Sequence, residues 1–359
     1  MNKKIIIFSG GTGGHVIPSV NFGNFLLTKG YNCCLVLDKR GNKYSGNFKG
    51  KIYVINSMHL SGNLINKIQS LINLLIGFLQ SMYIIYKVRP LKCISFGSYA
   101  TFMPLISILT LKIFTNVKIY LHEQNSIIGK VNSIFIPFSE YLFTNFKDIR
   151  NLKKINFTKN IHVGLPDYKE SDYDILRFKV LNKKINIFVY GGSQGSVPLI
   201  NNFLLILKNL DIKYYGKIKV FIQSPKKSFN FLNKLLKNLQ IEFEIKEFYT
   251  NINQILSITK IAITRAGSGT INDLINYNIP SIIMPLPHSI YNHQYYNAKY
   301  LSDINAAILM DQIEFNTDIN TKIFQELLTN QEKYLTMKKA LEKIIIPNTN
   351  EIMLEKILL

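Results

Sequence analysis

A short apolar run that ends in a glycine cluster occurs twice in the chain, as "KKIIIFSGGTGGH" from Lys3 to His15 and as "KKINIFVYGGSQG" from Lys183 to Gly195. Each copy reads as a buried strand, then a turn whose glycines let backbone N–H groups point outward, then a helix whose positive N-terminus follows at once. Such a turn cradles an anion. Two of them in one chain predict two mononucleotide-binding halves.

The rest of the chain fits that reading. At 359 residues it is too long for one ordinary core and suits two domains. Strand-like runs alternate with helical stretches: "KIIIF", "NCCLVLD", "KIYVI", "KCISF", "KIYLHE" and "YLFTNF", then "KINIFVY", "KIKVFIQ", "FEIKEF", "KIAIT" and "PSIIMPL". Short β-rich runs separated by longer helices predict parallel sheets made of βαβ units. The segment "VGLPDYKESDYD", Val163 to Asp174, carries Gly, Pro and a burst of charge just before the second glycine strand. It sets the expected boundary, with one domain over 1–163 and another over 164–337. The helical tail 338–359 is expected to pack back on the first domain.

Charge is lopsided, with 43 Lys and Arg against 22 Asp and Glu, a net +21. The excess is dispersed, Ile, Asn and Lys crowd every segment, and no RNA- or DNA-binding motif is present, so a nucleic-acid partner is not expected. Cys33, Cys34 and Cys93 have no metal-ligand spacing, which predicts reduced thiols and no disulfides. The run Ile5 to Phe8 is far shorter than a signal-peptide core, and no 18 apolar residues run uninterrupted, so neither a secretory signal nor a transmembrane helix is expected. Between Asp38 and Glu123 lie 84 residues without a carboxylate but with eleven Lys and Arg. Within them "LINKIQSLINLLIGFLQSMYIIYKVRP" places Asn66, Asn73, Gln80 and Lys87 at sevenfold spacing and leaves the remaining helix perimeter largely apolar. Two readings stand: a helix buried on several sides, or an apolar patch rimmed by lysines that lies on an anionic membrane without spanning it.

The chemistry-bearing residues cluster at strand ends. "SGGTGGHVIP" lacks the G-x-G-x-x-G order and has only Asp38 to offer a ribose, so a dehydrogenase is weakly supported. His15 sits at the mouth of the first turn, where a general base or phosphate partner is useful. In "YGGSQG", Ser193 and Gln194 can donate to a phosphate or a sugar hydroxyl. A third turn, "ITRAGSGTINDL", supplies Arg265 and the open backbone of Gly267 and Gly269. Thr270 is the expected N-cap of a helix carrying Asp273 on its first turn. "PLPHSIYNHQYYNA" follows strand "SIIMP" and offers His288, Asn292, His293 and Gln294 to sugar hydroxyls. Two histidines without a third ligand nearby predict no metal site.

In this order, "GGTGGHVIP", "LHEQN", "GGSQG", "TRAGSGT" and "PLPHSIYNHQYYNA" resemble the bacterial peptidoglycan N-acetylglucosaminyltransferases of the MurG family, which make lipid II from lipid I. The resemblance runs through nearly the whole chain. It implies an α/β architecture of the GT-B type, two Rossmann-like domains with parallel sheets facing a central cleft. The implied reaction is inverting transfer of GlcNAc from UDP-GlcNAc to the muramyl 4-hydroxyl of undecaprenyl-linked lipid I, with no cofactor.

Carried over position by position, the resemblance puts Gly13, Gly14, His15, Tyr99, His122, Gln124 and Asn125 at the acceptor. Thr12, Gly13, Gly14 and Asn125 also reach the donor. Ser193, Gln194, Arg265, Gly267, Ser268, Gly269 and Thr270 would hold the donor phosphates and sugar, Asp273 the ribose, Gln294 the GlcNAc hydroxyls, and Phe248 and Tyr249 the uracil. His15 is the first choice of base and Glu123 the second. The implied location is peripheral, on the cytoplasmic face of the inner membrane, with wall-synthesis and division proteins as possible partners.

The sequence also departs from the family pattern. The expected "GNPVR" is "GLPDY", Gly164 to Tyr168, so an arginine near the nucleotide is missing; a glutamate is the shorter Asp273; and a double glycine is Gly97-Ser98. The runners-up are a UDP-GlcNAc 2-epimerase, a glycosyltransferase with a soluble acceptor, and a weakened wall-synthesis scaffold.

Overall fold

The computed structural model describes residues 4–58, 63–112, 114–152, 158–166, 184–192 and 195–359. The chain divides into two units, Met1–Glu170 with Ile346–Leu359, and Ser171–Ile345.

The first unit is built on strands β1 (Lys4–Phe8), β2 (Asn32–Asp38), β3 (Lys51–Ile55), β4 (Lys92–Ser95), β5 (Lys118–Glu123), β6 (Tyr141–Thr144) and β7 (Asn160–His162). They form one sheet in the order β3-β2-β1-β4-β5-β6-β7, every pair parallel. Its helices are α1 (Gly13–Thr28), α2 (Lys39–Asn42), α3 (Leu64–Val88), α4 (Phe102–Leu111) and α5 (Lys130–Phe135). Both faces of the sheet are covered, which explains why β1 is apolar without alternation. Ile6 and Phe8 face a core closed by Ile84 and Ile85 of α3 and Leu105 and Ile108 of α4. Ile5 and Ile7 face the opposite core with Val16 and Phe22 of α1.

The second unit repeats the plan. Strands β8 (Ile185–Tyr190), β9 (Ile218–Gln223), β10 (Glu242–Lys246), β11 (Ile261–Thr264), β12 (Ser281–Ile283) and β13 (Ala307–Leu309) form a parallel sheet in the order β10-β9-β8-β11-β12-β13. Helices α6 (Val197–Asn209), α7 (Phe229–Asn238), α8 (Ile252–Ile258), α9 (Ser268–Asn276), α10 (His293–Ser302), α11 (Thr317–Thr329) and α12 (Gln331–Glu342) accompany it. Ile187 and Val189 join the α6 and α11 core, where Phe203 meets Phe324 edge-on at 5.8 Å. On the other face Phe188 stacks on Tyr190 at 4.3 Å.

In each sheet the strand order reverses once, between β1 and β4 and between β8 and β11. Open α/β sheets bind ligands at such a switch point, outside the carboxyl ends of the strands. The glycine turns lie there.

Two expectations change in detail. The tail 338–359 is not one helix: α12 ends at Glu342 and stays with the second unit, while α13 (Thr349–Leu358) belongs to the first. There Met353, Leu354 and Ile357 of α13 join the core under α1. The boundary segment falls mostly within 167–183, outside the described residues.

Helix α3 is not buried on several sides. Ser70, Leu74, Gly77, Ser81, Ile84 and Ile85 form its buried side. A Cβ on Gly77 would lie 2.1 Å from the Asn56 carbonyl oxygen, so only glycine lets α3 come this close to the exit of β3. The sevenfold polar stripe flanks the buried side rather than opposing it: Asn56 N–H donates to Gln80 Oε1 at 2.8 Å, and Asn56 Nδ2 donates to Asn73 Oδ1 at 3.2 Å. The face left to solvent is therefore apolar, comprising Ile68, Leu71, Ile72, Leu75, Leu79, Tyr83 and Tyr86. Residues Asn66–Val88 are long and apolar enough to cross a membrane by length and composition, their apolar residues being interrupted by polar ones at intervals along the helix.

Candidate active site

In the first unit, β1 delivers the chain into the turn Ser9–Thr12. A Cβ on Gly10 would lie 2.5 Å from the Ala100 side chain and 2.7 Å from Asp38 Oδ1, so glycine is required for this approach. Asp38 is not available to a ribose. Its buried carboxylate accepts from Gly11 N–H at 2.8 Å and Gly41 N–H at 3.0 Å, and pairs with Arg40 Nε at 2.8 Å. Helix α1 begins at Gly13, and its N-cap, Thr12, is exposed and makes no side-chain cap bond. Gly13 and Gly14 thus stand at the positive end of α1 with His15 on the first turn.

His15 is half-buried, and its Nδ1 lies 2.9 Å from the Phe96 carbonyl and 2.7 Å from Gln124 Oε1. Gln124 Nε2 in turn meets His122 Nδ1 at 3.1 Å and the His122 carbonyl at 3.0 Å. His122 Nε2 reaches the Gly164 carbonyl at 3.0 Å. The His122 ring is fully buried and stacked on Phe96 at 5.1 Å; burial pulls its pKa down to about 4, partly offset by the Gly164 carbonyl.

Three of the expected "HEQN" roles change as a result. His122 and Gln124 are at most 1% exposed and their polar atoms are engaged within the protein, so they support His15 rather than touch an acceptor. Glu123 is equally buried, accepting from Asn125 N–H at 3.0 Å, Gly129 N–H at 2.8 Å and Asn132 Nδ2 at 2.9 Å. A carboxylate so occupied shapes the loop after β5, its oxygens spent within the protein. Asn125 and Tyr99 are half-buried, the Tyr99 ring packing parallel to Phe102 at 6.2 Å.

In the second unit β8 enters the turn Gly191–Gly195. A Cβ on Gly191 would lie 2.6 Å from Ser196 N, which makes this turn another obligatory glycine site. Ser193 and Gln194 lie outside the described residues. Ser196 caps α6, accepting from Leu199 N–H at 3.4 Å.

At the end of β11, Arg265 is buried and hydrogen-bonded within the protein. Its Nε and Nη2 donate to Ser196 Oγ at 3.0 and 2.8 Å, Nη1 to the carbonyls of Met284 and Pro285 at 2.9 and 3.0 Å, and Nη2 also to Gln312 Oε1. All five N–H groups are used on neutral oxygens, and burial lowers the guanidinium pKa to about 10. Arg265 therefore ties the glycine turn to the β12 exit.

Helix α9 starts at Ser268 with Gly267, in extended conformation, as N-cap. This corrects the expected cap: Thr270 is buried inside the helix, and Asp273 stands beyond its first turn. Asp273 remains close to the end of β8, where its negative charge adds to burial in raising the pKa of the Tyr190 hydroxyl. Gln294 Oε1 accepts from Leu286 N–H at 2.9 Å and Ala266 N–H at 3.3 Å, which engages the amide oxygen rather than the NH₂. Asn297, which sequence reasoning passed over, donates to the Ala266 carbonyl at 3.0 Å. The uracil pair also divides. Phe248 is 60% exposed, whereas Tyr249 is buried edge-on against Phe188 at 5.3 Å and donates to the Glu244 carbonyl at 3.2 Å.

The chain matches two family descriptions, the glycosyltransferase family 28 N-terminal domain over residues 5–144 and the C-terminal domain over 186–349. It is 33% identical over 346 residues to the UDP-N-acetylglucosamine–N-acetylmuramyl-(pentapeptide) pyrophosphoryl-undecaprenol N-acetylglucosamine transferase of Wolbachia sp. subsp. Drosophila simulans, covering 96% of this chain and 95% of that one. The same-named protein of Rickettsia canadensis is 31% identical over 96% of this chain and 100% of its own. Among solved structures, MurG of Acinetobacter baumannii superposes with a TM-score of 0.79 at 21% identity over 99% of both chains. A UDP-N-acetylglucosamine 2-epimerase of Listeria monocytogenes gives 0.68 at 11% identity over 99% of this chain and 95% of its own, a likeness of fold.

Proposed function

The chain belongs to the MurG family of family 28 glycosyltransferases, with the GT-B fold, and on that premise we propose that it moves GlcNAc from UDP-GlcNAc to lipid I, giving lipid II. The observation that carries the reading is the 33% identity running through 96% of the chain, both units included. The epimerase alternative is supported by fold alone.

In the proposed reaction the muramyl 4-hydroxyl oxygen attacks the anomeric carbon of GlcNAc, the bond from that carbon to the diphosphate oxygen breaks, and UDP leaves. His15 Nε2 takes the hydroxyl proton, help worth roughly 10²–10⁴-fold. Gly13 and Gly14 at the start of α1, with Tyr99 and Asn125, frame the acceptor. Backbone N–H groups of Gly267, Ser268, Gly269 and Thr270 at the N-terminus of α9 take the charge that develops on the diphosphate. Asp273 binds the ribose, Phe248 stacks on the uracil, and the Gln294 NH₂ donates to a GlcNAc hydroxyl. Ser193 and Gln194 complete the donor contacts.

The solvent face of α3 is the proposed membrane contact. One side of α3 is packed on the protein, so the helix would lie along the lipid surface rather than cross it. Exposed Lys87 and Arg89 sit over the rings of Tyr83 and Tyr86, each at 5.7 Å, placing cations beside the apolar face as anionic lipid requires. The protein thereby works peripherally at the cytoplasmic membrane face, where a polyprenyl-linked acceptor is found.

Transfer of radiolabelled GlcNAc from UDP-GlcNAc to a lipid I analogue, with chelator present and a no-acceptor control, tests the activity. Label in the lipid product is expected. UDP-GlcNAc bound without transfer would favour an epimerase or another acceptor, and no binding would overturn the donor site.

A further inference from the structure

Buried polar groups around His15 form a chain whose hydrogen-bond direction is fixed by carbonyl oxygens, which only accept. The Gly164 carbonyl, 3.0 Å from His122 Nε2, requires a proton on that nitrogen. Burial keeps the His122 ring neutral, so its Nδ1 is an acceptor. Gln124 therefore turns its NH₂ toward His122, donating to Nδ1 at 3.1 Å and to the His122 carbonyl at 3.0 Å. Both amide hydrogens are then spent, and Oε1 faces His15 Nδ1 at 2.7 Å as an acceptor. The Phe96 carbonyl, 2.9 Å from the same nitrogen, makes the same demand. Every constraint puts the proton of neutral His15 on Nδ1 and leaves the lone pair on Nε2, which has no protein partner among the described residues.

We infer that Gln124, backed by His122, is a positioning residue that holds His15 in the Nδ1–H tautomer with Nε2 ready to accept a proton. The inference rests on the reading of His15 as the base. A neutral base in the wrong tautomer presents N–H where a lone pair is needed, and its orienting partner sets which form prevails. The far end of the chain is anchored as well. Gly164 N–H donates to the Thr144 carbonyl at 3.2 Å, and the Thr349 hydroxyl, at the first residue of α13, donates to the Val163 carbonyl. Strands β5 and β6 and the C-terminal helix thus all bear on the geometry of one imidazole.

The first test is the tautomer of His15 in the intact enzyme, read from long-range ¹⁵N–¹H correlations of ¹⁵N-histidine-labelled protein and assigned with His15→Ala. The proton is expected on Nδ1; a proton on Nε2 would overturn the inference whatever the kinetics. The second is Gln124→Met, which keeps volume and removes both amide functions. We expect kcat to fall about 10- to 100-fold, with KM for both substrates within about twofold, and the His15 signal to show loss of the single tautomer. Unchanged kcat and tautomer in Gln124→Met, with His15→Ala inactive, would refute the positioning role and leave the base standing. His15→Ala turning over within a few-fold of wild type would refute both.

Discussion

The exposed face of α3 offers the sharpest test of how this enzyme meets its lipid substrate. Leu75 and Leu79 are each 58% exposed on that face, one turn apart. Burying a whole leucine is worth about 1.5–3 kcal/mol, so moving the exposed part of each into an acyl boundary contributes about 1–2 kcal/mol. Leu75→Glu with Leu79→Glu removes both contributions and sets two carboxylates against anionic headgroups. Binding to vesicles containing anionic lipid should weaken at least about 30-fold. The fold should barely notice, because exposed positions away from caps and networks change stability by about 0.5 kcal/mol or less. A control pair, Ile212→Glu with Ile313→Glu, makes the same chemical change at residues 76% and 68% exposed in the second unit. Vesicle sedimentation with a parallel thermal melt reads both variants. The expected pattern is loss of binding in the α3 pair only, with transfer to a soluble short-chain acceptor retained. If the α3 pair sediments like wild type while melting normally, the lipid contact lies elsewhere and the argument from the inverted helix pattern fails.

Three further outcomes follow from one strained and two buried residues. Ser98 sits at φ 77°, ψ 151°, a glycine region that costs other residues about 1–3 kcal/mol. Against the chain-entropy cost of glycine, about 0.5–1 kcal/mol, Ser98→Gly should still raise the melting midpoint by about 2–4 °C, and a lower midpoint would show the serine is not strained there. Arg265→Met orphans the carbonyls of Met284 and Pro285 and should cost about 3 kcal/mol or more in urea unfolding; a raised donor KM with intact stability would mean instead that Arg265 touches the donor. His122, with its folded pKa near 4 against 6.5 in the unfolded chain, binds a proton on unfolding between those values. Stability is then full above about pH 6.5 and declines by about 3 kcal/mol as the pH falls to 4. His122→Gln should flatten that part of the profile, and an unchanged slope would move its origin to other groups.

What the sequence made legible depended on how local the cause was. The glycine turns were readable because a strand, a turn and a helix start need only consecutive residues. The parallel sheets followed from apolar runs buried on both faces. Strands β7 and β13 escaped notice because each is three residues long and lies at a sheet edge, too short to show a period. On α3 the sevenfold polar stripe was real, but its direction was not, since Asn73 and Gln80 serve Asn56, a residue outside the helix. Glu123 and Arg265 looked like working charges because they adjoin candidate loops. Their actual partners are backbone N–H groups and carbonyl oxygens gathered from several strand ends, which a linear reading does not bring together.

Those misplaced charges expose a difference between two units that share one topology. At the first switch point, Gly11 N–H is already spent on Asp38, whose other oxygen is paired with Arg40. One backbone donor of the turn after β1 is therefore taken by a side chain of its own unit. At the second switch point stands the buried guanidinium of Arg265, whose hydrogen bonds all end on neutral oxygens. A cation buried without a carboxylate is costly to hold, and an anion bound nearby recovers part of that cost. On the proposed reading the nucleoside diphosphate goes with the second unit and the attacking hydroxyl, neutral until its proton leaves, with the first. That division also fits the chain's departures from its family. Under the proposed assignment, an arginine missing at "GLPDY" and an aspartate in place of glutamate at Asp273 would trim contacts to the nucleotide, while the buried charge and the N-terminus of α9 would still provide for its diphosphate.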